Sequence, residues 1–434
     1  MPRRLDARKP GFDVAFEALV GARRERSGEV DEVVAQILAE VRARGDAAVL
    51  DYTRRFDRLE LRPDTLRVAD AEIAAAAAQV PAPLSQALAL AARRIEDFHA
   101  RQVPADERYT DAQGIELGQR WTALGAVGVY VPGGIAAYPS SVLMTVIPAR
   151  VAGVERIVMT VPAPDGELAP VVLAAARLAG VHEVYRIGGA QAVAALAFGT
   201  QSIAPVDKIV GPGNRYVAAA KRQVFGIVGI DMIAGPSEIL VVADGANEAT
   251  WIAADLLSQA EHDEAAQAVL ISDDEAFVEA VVRAAERHLE GMARAAIARA
   301  SWEAYGAVIV VERLIDAAPL IDRLAPEHLE LAIAEPEALM ARVRNAGAIF
   351  LGRHTPEALG DYVAGPNHVL PTMGSARFAS GLSVLDFMKR TSLVRCDARG
   401  LKAIGPAAVT LAEAEGLGAH ALSVALRLAA PPDD

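Results

Sequence analysis

The sequence has one cysteine, Cys396, among its 434 residues. A single thiol excludes an intrachain disulfide framework and any metal cage built from several cysteines, and it fits a reducing compartment. We expect Cys396 to be a small, buried, apolar residue. No apolar run reaches the ~20 residues that a membrane-spanning helix needs, and no apolar stretch follows the charged start, which argues against a secretory signal. These absences predict a cytoplasmic protein without a membrane partner.

Positive charge is also scarce. The chain has 43 Lys and Arg residues against 56 Asp and Glu, which gives a net charge of -13. An acidic surface disfavours nucleic acid as a partner. Hydrophobic residues make up 53% of the chain and aromatic residues only 5%, a composition typical of a globular protein without disorder. The length allows two or three domains and a large core.

Two strand–turn–helix units lie in the middle of the chain. Residues 183–187 are a predicted strand that runs into Gly-Gly-Ala-Gln at 188–191, and 206–210 run into Gly-Pro-Gly-Asn at 211–214. Neither turn has the Gly-x-Gly-x-x-Gly fingerprint of dinucleotide-binding folds. The alternation nevertheless predicts a parallel sheet, and glycine turns at helix starts suit a phosphate group. Residues 126–131 predict a further strand, which ends in Pro132, Gly133 and Gly134.

A second block of alternating strands and helices follows. Its predicted strands cover 238–243, 267–271, 307–311, 329–333 and 348–351. Asn247 is the predicted N-cap of the helix that ends near Gln259 and His262. Two α/β blocks predict two domains with a ligand cleft between them.

The two ends of the chain are predicted to be helical. The spacing of apolar residues indicates helices through most of 1–105 and again over 397–428. Two breaks are predicted in the C-terminal segment, one near 405–406 and one near 416–418, because glycine and proline interrupt helices.

Asp255, Gln259 and His262 form a polar stripe at the end of the predicted helix. An amide oxygen, an imidazole and a nearby carboxylate could hold a divalent metal ion. Judged by spacing alone, a solvated helix end explains such a stripe more often, because most polar stripes face water.

Three further pairs of residues have ligand or base chemistry. Glu327 and His328 are adjacent, and carboxylate and imidazole are the usual general bases near neutral pH. Asp361 and His368 lie in a loop rich in glycine and proline. Glu415 and His420 flank the second predicted helix break. For each pair, placement on the surface is the alternative to a role in a site.

Five long motifs, in order, resemble the histidinol dehydrogenase family. They are Gly-Pro-Gly-Asn at 211–214, Asp-Met-Ile-Ala-Gly-Pro-Ser-Glu at 231–238, Ser-Gln-Ala-Glu-His-Asp at 258–263, Ala-Pro-Glu-His-Leu-Glu at 325–330 and Gly-Asp-Tyr-Val-Ala-Gly-Pro-Asn-His-Val-Leu-Pro-Thr at 360–372. The resemblance implies a zinc-dependent, NAD-linked enzyme. Such an enzyme oxidises L-histidinol through L-histidinaldehyde to L-histidine, the last steps of histidine biosynthesis, and reduces two NAD.

The resemblance also implies a role for each matching residue. Glu327 and His328 are the implied catalytic bases. The implied zinc ligands are Gln259, His262, Asp361 and His420. The implied NAD-binding residues are Tyr130, Gln191 and Asn214. The implied substrate-binding residues are Ser237, Gln259, His262, His328, Asp361, Glu415 and His420. One zinc ion per subunit is expected. The implied assembly is a homodimer in which Glu415 and His420 complete the partner's site.

The expected fold is α/β, with two Rossmann-like parallel-sheet domains and small helical N- and C-terminal segments. A helical arm is expected at 1–25 and an NAD domain at 130–236. A large domain with the zinc ligands and bases is expected at 26–129 plus 237–381. A C-terminal helical segment at 382–434 is expected to reach the partner subunit.

Two other functions fit parts of the pattern. A paralogous zinc and NAD dehydrogenase could act on another small polyol or amino alcohol, but its substrate-side residues should then differ from Ser237, His368 and Glu415, which match the family here. A non-catalytic ligand-binding protein on the same fold should have lost a base or a zinc ligand, and none is missing.

Overall fold

The computed structural model describes residues 1–22, 28–133 and 138–430. Gly134 of the predicted turn and residues 23–25 of the predicted arm lie outside these ranges.

The strands in the described part are β1 (Arg3–Asp6), β2 (Glu107–Thr110), β3 (Glu116–Ala123), β4 (Ala126–Tyr130), β5 (Arg156–Thr160), β6 (Glu183–Tyr185), β7 (Lys208–Val210), β8 (Gly229–Ile230), β9 (Glu238–Ala243), β10 (Gln267–Ser272), β11 (Ala307–Val310), β12 (His328–Ala332), β13 (Ala348–Leu351) and β14 (Met388–Arg395).

Helices alternate with most of these strands. They are α1 (Phe12–Gly21), α2 (Gly28–Arg44), α3 (Asp46–Asp57), α4 (Asp70–Gln79), α5 (Ala82–Ala100), α6 (Pro139–Val151), α7 (Pro170–Ala179), α8 (Gly189–Phe198), α9 (Arg215–Val224), α10 (Ala249–Ala260), α11 (Glu275–Leu289), α12 (Ala295–Tyr305), α13 (Ala318–Leu324), α14 (Pro336–Met340), α15 (Glu357–Tyr362), α16 (Ala398–Ala414) and α17 (Gly418–Leu428).

A five-stranded parallel sheet has the order β6-β5-β4-β7-β8. Successive residues of its strands face opposite sides, so that Val127 and Val129 pack with α4–α7 whereas Tyr130 and Val158 pack with α2, α3, α8 and α9. Helices therefore cover both faces, as a parallel sheet requires. The order reverses between β4 and β7, and ligands of such sheets bind at this switch point, beyond the carboxyl ends of the strands.

A six-stranded parallel sheet has the order β1-β11-β10-β9-β12-β13. Its last five strands repeat the order of the smaller sheet, and β1 adds an edge next to β11. Helices α10–α12 cover the face of Ile239 and Val241, whereas α1, α13 and α14 cover the face of Leu240 and Val242. The predicted α/β fold with two parallel sheets is confirmed.

Helices α2–α5 do not pack on the six-stranded sheet with which residues 26–129 were grouped. The apolar stripe of α2, which includes Val30 and Val34, packs against Tyr130 and Val158 of the smaller sheet. Strand β4 is the central strand of that sheet. The sequence pattern identified the helices correctly, but periodicity does not indicate which sheet a stripe will cover.

Both terminal segments contain a strand that the helical pattern did not predict. Strand β1 lies in the N-terminal arm, and β14 lies in the C-terminal segment and pairs antiparallel with β3. The predicted break at 405–406 is wrong, because α16 continues through Pro406. Close packing supports the helix there, since a Cβ added at Gly405 would lie 3.2 Å from Val424 and 3.1 Å from Leu428 of α17. A break does occur at Gly416.

Asn247 does not cap α10 as predicted, because Glu248 occupies the N-cap position. The Asn247 amide instead donates to the carbonyls of Ala332 (2.6 Å) and Asp244 (2.9 Å). Asp244 follows β9 and accepts hydrogen bonds from Arg353 (2.7 Å) and from the backbone N–H of Ala334 (2.9 Å). Side chains of the protein therefore fill the switch point of the six-stranded sheet, between β9 and β12, at its carboxyl end.

No single helix in the described ranges is both long and apolar enough to cross a bilayer. Helices α4 and α5 meet those limits only as a pair, and they are bent by 113° at the break between them. Ala76 of α4 and Leu88 and Ile95 of α5 belong to the core on one face of the five-stranded sheet.

Replacement of Asp244 with alanine should lower the free energy of unfolding by about 1–3 kcal/mol, because it leaves Arg353 and two backbone N–H groups without their acceptor. Urea unfolding followed by circular dichroism measures this loss. The control is Asp316→Ala, which removes an exposed partner of Arg313 and should change stability by less than about 1 kcal/mol. Equal losses in the two variants would contradict the predicted difference.

Candidate active site

Residues of the predicted metal and base motifs meet at the amino ends of β9 and β12. His328 is the first residue of β12, and Ser237 directly precedes β9. Helix α10 runs back antiparallel to β9, so its last turn, with Gln259, lies at the same edge of the sheet. Helix α15 brings Asp361 to this edge, where its carboxylate lies near His328. This is the opposite edge from the one at which parallel sheets usually bind ligands.

The His328 imidazole is buried and has a defined tautomer. Its Nδ1 lies 3.0 Å from the carbonyl oxygen of Glu238. A carbonyl can only accept, so Nδ1 carries the proton and Nε2 is left as an acceptor. Nε2 lies 3.7 Å from Glu357 Oε1 and 3.7 Å from Asp361 Oδ1. Burial lowers the pKa of His328, which keeps the ring neutral and able to accept a proton.

Glu327 is buried beside His328. Its Oε2 accepts a hydrogen bond from the backbone N–H of Glu238 at 2.9 Å and lies 3.9 Å from His328 Nδ1. Burial raises the pKa of Glu327 well above its usual range. A carboxylate with a raised pKa is a stronger base than an exposed one, so Glu327 has the chemistry of a general base.

His368 lies on the other side of Asp361. Its Nδ1 lies 3.0 Å from the Asp361 carbonyl oxygen, which again places the proton on Nδ1. Burial lowers the pKa of His368 as well. A positive charge on His262 lowers the pKa of both His328 and His368, and His262 itself is exposed. The structure thus brings residues from four of the predicted motifs together.

Gln259 and the neighbouring acids form a set of donors that fits a metal ion. Gln259 is 1% exposed, and neither its amide oxygen nor its amide nitrogen has a hydrogen-bond partner in the described part of the chain. A buried amide without partners is costly, and a metal ion would satisfy its oxygen. His328, Glu357 and Asp361 also place donor atoms within 4.8 Å of one another. Of this trio, only Asp361 was among the predicted zinc ligands.

Glu415 and His420 are not brought to this site by their own chain. Both are exposed, and no hydrogen bond or ion pair in the described ranges joins their side chains to the cluster around His328. Their helices, α16 and α17, pack chiefly on each other. Their roles as substrate and zinc ligands remain predictions.

Two buried acids of the site had no role in the sequence analysis. Glu357 and Glu330 are 3% and 1% exposed. Burial and the Asp361 carboxylate raise the pKa of Glu357 to about 9. Burial and the Asp255 carboxylate raise the pKa of Glu330 to about 9, and burial raises the pKa of Asp255 to about 6. The site therefore contains a cluster of carboxyl groups in which several hold a proton.

Local spacing could have indicated both acids. Glu330 follows His328 by two positions on a strand, so the two side chains share a face. Glu357 precedes Asp361 by four positions on α15, so these side chains also lie together.

The three predicted NAD residues lie at the carboxyl ends of the smaller sheet. The Tyr130 hydroxyl accepts a hydrogen bond from the N–H of Gly189 at 3.0 Å, and burial raises its pKa to about 12. Gln191 is 1% exposed, and its amide oxygen has no hydrogen-bond partner among the described residues. Asn214 is the N-cap of α9, with its oxygen accepting from Tyr216 and Val217, so only its amide nitrogen remains for a ligand.

Glycines allow the backbone to approach closely around these residues. A Cβ at Gly188 would lie 2.4 Å from Pro162, and one at Gly211 would lie 2.2 Å from the carbonyl oxygen of Tyr130. The turns after β6 and β7 therefore need glycine in order to pack on Pro162 and Tyr130. Each turn leads into a helix start, a position that suits a phosphate-containing ligand. Cys396, expected to be buried, is exposed instead.

The free energy of unfolding of the Glu330→Gln variant should exceed that of the wild type by an amount that grows from pH 5 to pH 9. The folded-state pKa of Glu330 is about 9, above its unfolded value. Below the unfolded-state pKa, the Glu330 side chain holds its proton in both states, and the wild type has its full free energy of unfolding. As pH rises above that value, this free energy falls by up to about 1.4 kcal/mol per pH unit, because only the folded state still holds the proton. Urea unfolding across this pH range measures the difference.

The control for this prediction is Asp165→Asn. Asp165 is exposed and its pKa is lowered by the Arg58 guanidinium, so its variant should show no trend over the same pH range. A difference between Glu330→Gln and the wild type that stays constant from pH 5 to pH 9 would contradict the proton-dependent burial of Glu330.

The chain is similar to known proteins over nearly its whole length. The sequence profile of histidinol dehydrogenase matches residues 21–428. Histidinol dehydrogenase of Rhodospirillum rubrum is 64% identical over 429 residues, and that of Cereibacter sphaeroides is 65% identical over 428 residues; each match covers 99% of both chains. The crystal structure of histidinol dehydrogenase from Elizabethkingia anophelis superposes with a TM-score of 0.93 at 36% identity, covering 98% of both chains. The chain belongs to the histidinol dehydrogenase family.

Proposed function

We propose that this protein is a zinc-dependent, NAD-linked enzyme that oxidises L-histidinol through L-histidinaldehyde to L-histidine, the last steps of histidine biosynthesis. Membership of the histidinol dehydrogenase family supports the substrate. The observation that carries the chemistry is the buried His328, whose Nε2 faces the carboxylates of Glu357 and Asp361. A neutral imidazole aimed into such a group of oxygen donors suits proton abstraction from an alcohol held there.

In the first oxidation, His328 accepts the hydroxyl proton of L-histidinol at Nε2. The hydrogen bond from Nδ1 to the Glu238 carbonyl keeps Nε2 free for this proton and stabilises the imidazolium that forms. NAD, when bound, would supply the acceptor for the hydride that leaves the carbon bearing this hydroxyl group. The alcohol thus loses two electrons and two hydrogens and becomes the aldehyde.

In the second oxidation, water must add to the aldehyde before another hydride can leave. Glu327 is the base that we assign to this water, because it adjoins His328 and burial raises its pKa well above the usual range of a carboxyl group. Its hydrogen bond with the Glu238 N–H holds the carboxylate in place. Loss of one hydride from the hydrate, which a second NAD would accept when bound, and of one proton, which Glu327 takes, gives histidine.

Gln259, His262 and Asp361, together with His420, are the residues that we propose for zinc. Neutral oxygen and imidazole donors leave zinc more electrophilic than thiolates do, and zinc when bound would orient the imidazole and amino nitrogens of the substrate. Ser237, which directly precedes β9, is a proposed contact for the substrate, and Glu415 is a second one, which the other subunit would supply. The unpartnered amide of buried Gln259 supports the assignment.

Tyr130, Gln191 and Asn214 are the residues that we propose for NAD. The buried, unpartnered oxygen of Gln191 suits a ribose hydroxyl, and the Asn214 amide nitrogen suits a phosphate oxygen. The absence of Gly-x-Gly-x-x-Gly favours weak binding. Weak binding would help an enzyme that must exchange NADH for NAD between its two oxidations.

We further propose a homodimer in which Glu415 and His420 complete the site of the other subunit. The hairpin of α16 and α17 that carries them exposes Leu411 (65%), Leu422 (56%) and Leu426 (63%). Exposed apolar side chains grouped in this way are typical of a surface that contacts another protein. A cytoplasmic location is proposed on the sequence features alone.

Two NADH should form for each L-histidinol consumed, and prior treatment with a chelator should abolish this until zinc is restored. Absorbance at the NADH band, combined with chromatographic measurement of histidinol, gives the ratio. One NADH per substrate would contradict the second oxidation. No NADH from histidinol by the zinc-loaded protein would favour a related dehydrogenase of another small polyol or amino alcohol.

Replacement of the two proposed bases should affect the two oxidations differently. His328→Asn should lower kcat for L-histidinol by about 10²–10⁴-fold, the usual contribution of a positioned base. Glu327→Gln should lower kcat with L-histidinaldehyde by a similar factor and affect alcohol oxidation less. His354→Asn is the control, because His354 is exposed and its ring centroid lies 5.8 Å from that of Trp251. Equal losses of both half-reactions in Glu327→Gln would contradict its assignment to water.

A further inference from the structure

A buried ion pair lies directly beneath the Gly-rich turn at 211–214. The ammonium of Lys221, on α9, contacts the carboxylate of Asp231, which follows β8. Their side chains are 3% and 1% exposed. Removing two charges from water is costly, and apolar residues of similar volume would often serve stability equally well. A structural role alone therefore does not explain why charged residues occupy this position.

The pair holds both backbone groups of Gly211. Lys221 Nζ donates to the Gly211 carbonyl at 2.9 Å, and the Gly211 N–H donates to Asp231 Oδ2 at 2.7 Å. We call Lys221 and Asp231 the Gly211 clamp. Strand pairing of β7 ends at Val210 on the β4 side and at Ile209 on the β8 side. The backbone of Gly211 therefore needs other partners, which the clamp supplies.

Gly211 has a backbone conformation that other residues rarely adopt. Its φ is +109°, and a Cβ there would lie 2.2 Å from the carbonyl oxygen of Tyr130. From this point the chain turns through Pro212 and Gly213 to Asn214, the N-cap of α9. The orientation of Gly211 therefore sets where Asn214 and the start of α9 lie relative to Tyr130.

We infer that Lys221 and Asp231 are positioning residues for NAD: they hold the turn at 211–214 in the shape that receives the dinucleotide. The inference rests on the proposed NAD site and adds two residues that do not touch the ligand. Lys221 is covered by the turn, so its charge acts through the backbone of Gly211 and not by direct contact with a phosphate.

The test separates the effect on NAD from the effect on stability. Lys221→Met alone leaves the Asp231 charge buried without its partner, which should destabilise the fold. The double variant Lys221→Met with Asp231→Asn removes both charges, keeps an oxygen for the Gly211 N–H and frees the Gly211 carbonyl. We expect KM for NAD to rise about ten-fold or more, which equals about 1.4 kcal/mol, with KM for L-histidinol changed by less than about three-fold.

A variant that returns part of the clamp provides a graded readout. Lys221→Gln with Asp231→Asn offers an uncharged N–H donor toward the Gly211 carbonyl, so KM for NAD should fall between the wild type and the Lys221→Met double variant. Binding of NADH to the zinc-loaded enzyme, followed by its fluorescence, should weaken in the same order. Thermal unfolding is measured first for each variant. The variants that fold are then ranked by their KM for NAD and by their affinity for NADH.

Arg156 and Glu183 are a matched control at the opposite end of the same sheet. Arg156 Nε donates to Glu183 Oε1 at 2.7 Å, and Arg156 also donates to the carbonyl of Pro205 at 3.1 Å. This ion pair likewise holds a loop through its backbone. The double variant Arg156→Met with Glu183→Gln should lower the unfolding temperature without changing KM for NAD.

The outcomes distinguish the inference from the proposed function. If the wild-type enzyme forms NADH from L-histidinol and the clamp and control variants change KM for NAD equally, the positioning role is wrong. If the clamp variants change kcat and both KM values together, the ion pair serves the fold alone and the inference is also wrong. If the wild type neither binds NADH nor forms it, the proposed function fails and the inference falls with it.

Discussion

Burial of charge at the amino ends of β9 and β12 is the constraint on which the candidate site depends. His328, Glu327, Glu330 and Glu357 are each no more than 6% exposed, and water cannot stabilise their charged forms there. The imidazole is therefore neutral, and the carboxyl groups resist ionisation, because burial opposes the charge of both kinds of group. A divalent cation held by Gln259 and Asp361 would offset negative charge in this cluster, which is one physical reason why such a group of acids can persist inside a stable fold.

The two parallel sheets share a strand order but differ in which edge carries the candidate chemistry. In the smaller sheet, the proposed NAD residues lie at the carboxyl ends of the strands, where Gly211 packs closely on the carbonyl of Tyr130. In the larger sheet, Asp244 and Arg353 fill the corresponding place, and the candidate site lies at the other edge. The chain from Asp231 to Ser237 joins the two regions, since Asp231 binds Gly211 and Ser237 directly precedes β9.

Much of the fold could be predicted from local patterns. The strands at 238–243 and 348–351 have the predicted bounds, because each is a short run of mostly apolar residues that stands out from its surroundings. Helix α16 shows the limit of this approach, since Pro406 predicts a break that packing against α17 prevents. The capping role assigned to Asn247 failed for a similar reason, because its amide found buried carbonyls that local sequence does not reveal.

The sequence by itself determined most strands of the two parallel sheets, the glycine turns and the motifs that hold Gln259, His262, His328 and Asp361, since backbone preference and side-chain periodicity act over a few residues. Only the tertiary structure decided that these motifs meet at the amino edge of the larger sheet, and that Glu357 and Glu330 join them. Their convergence depends on strand order and helix direction, which bring together groups separated by tens of residues. Burial then shifts their proton affinities, and no local pattern contains that information.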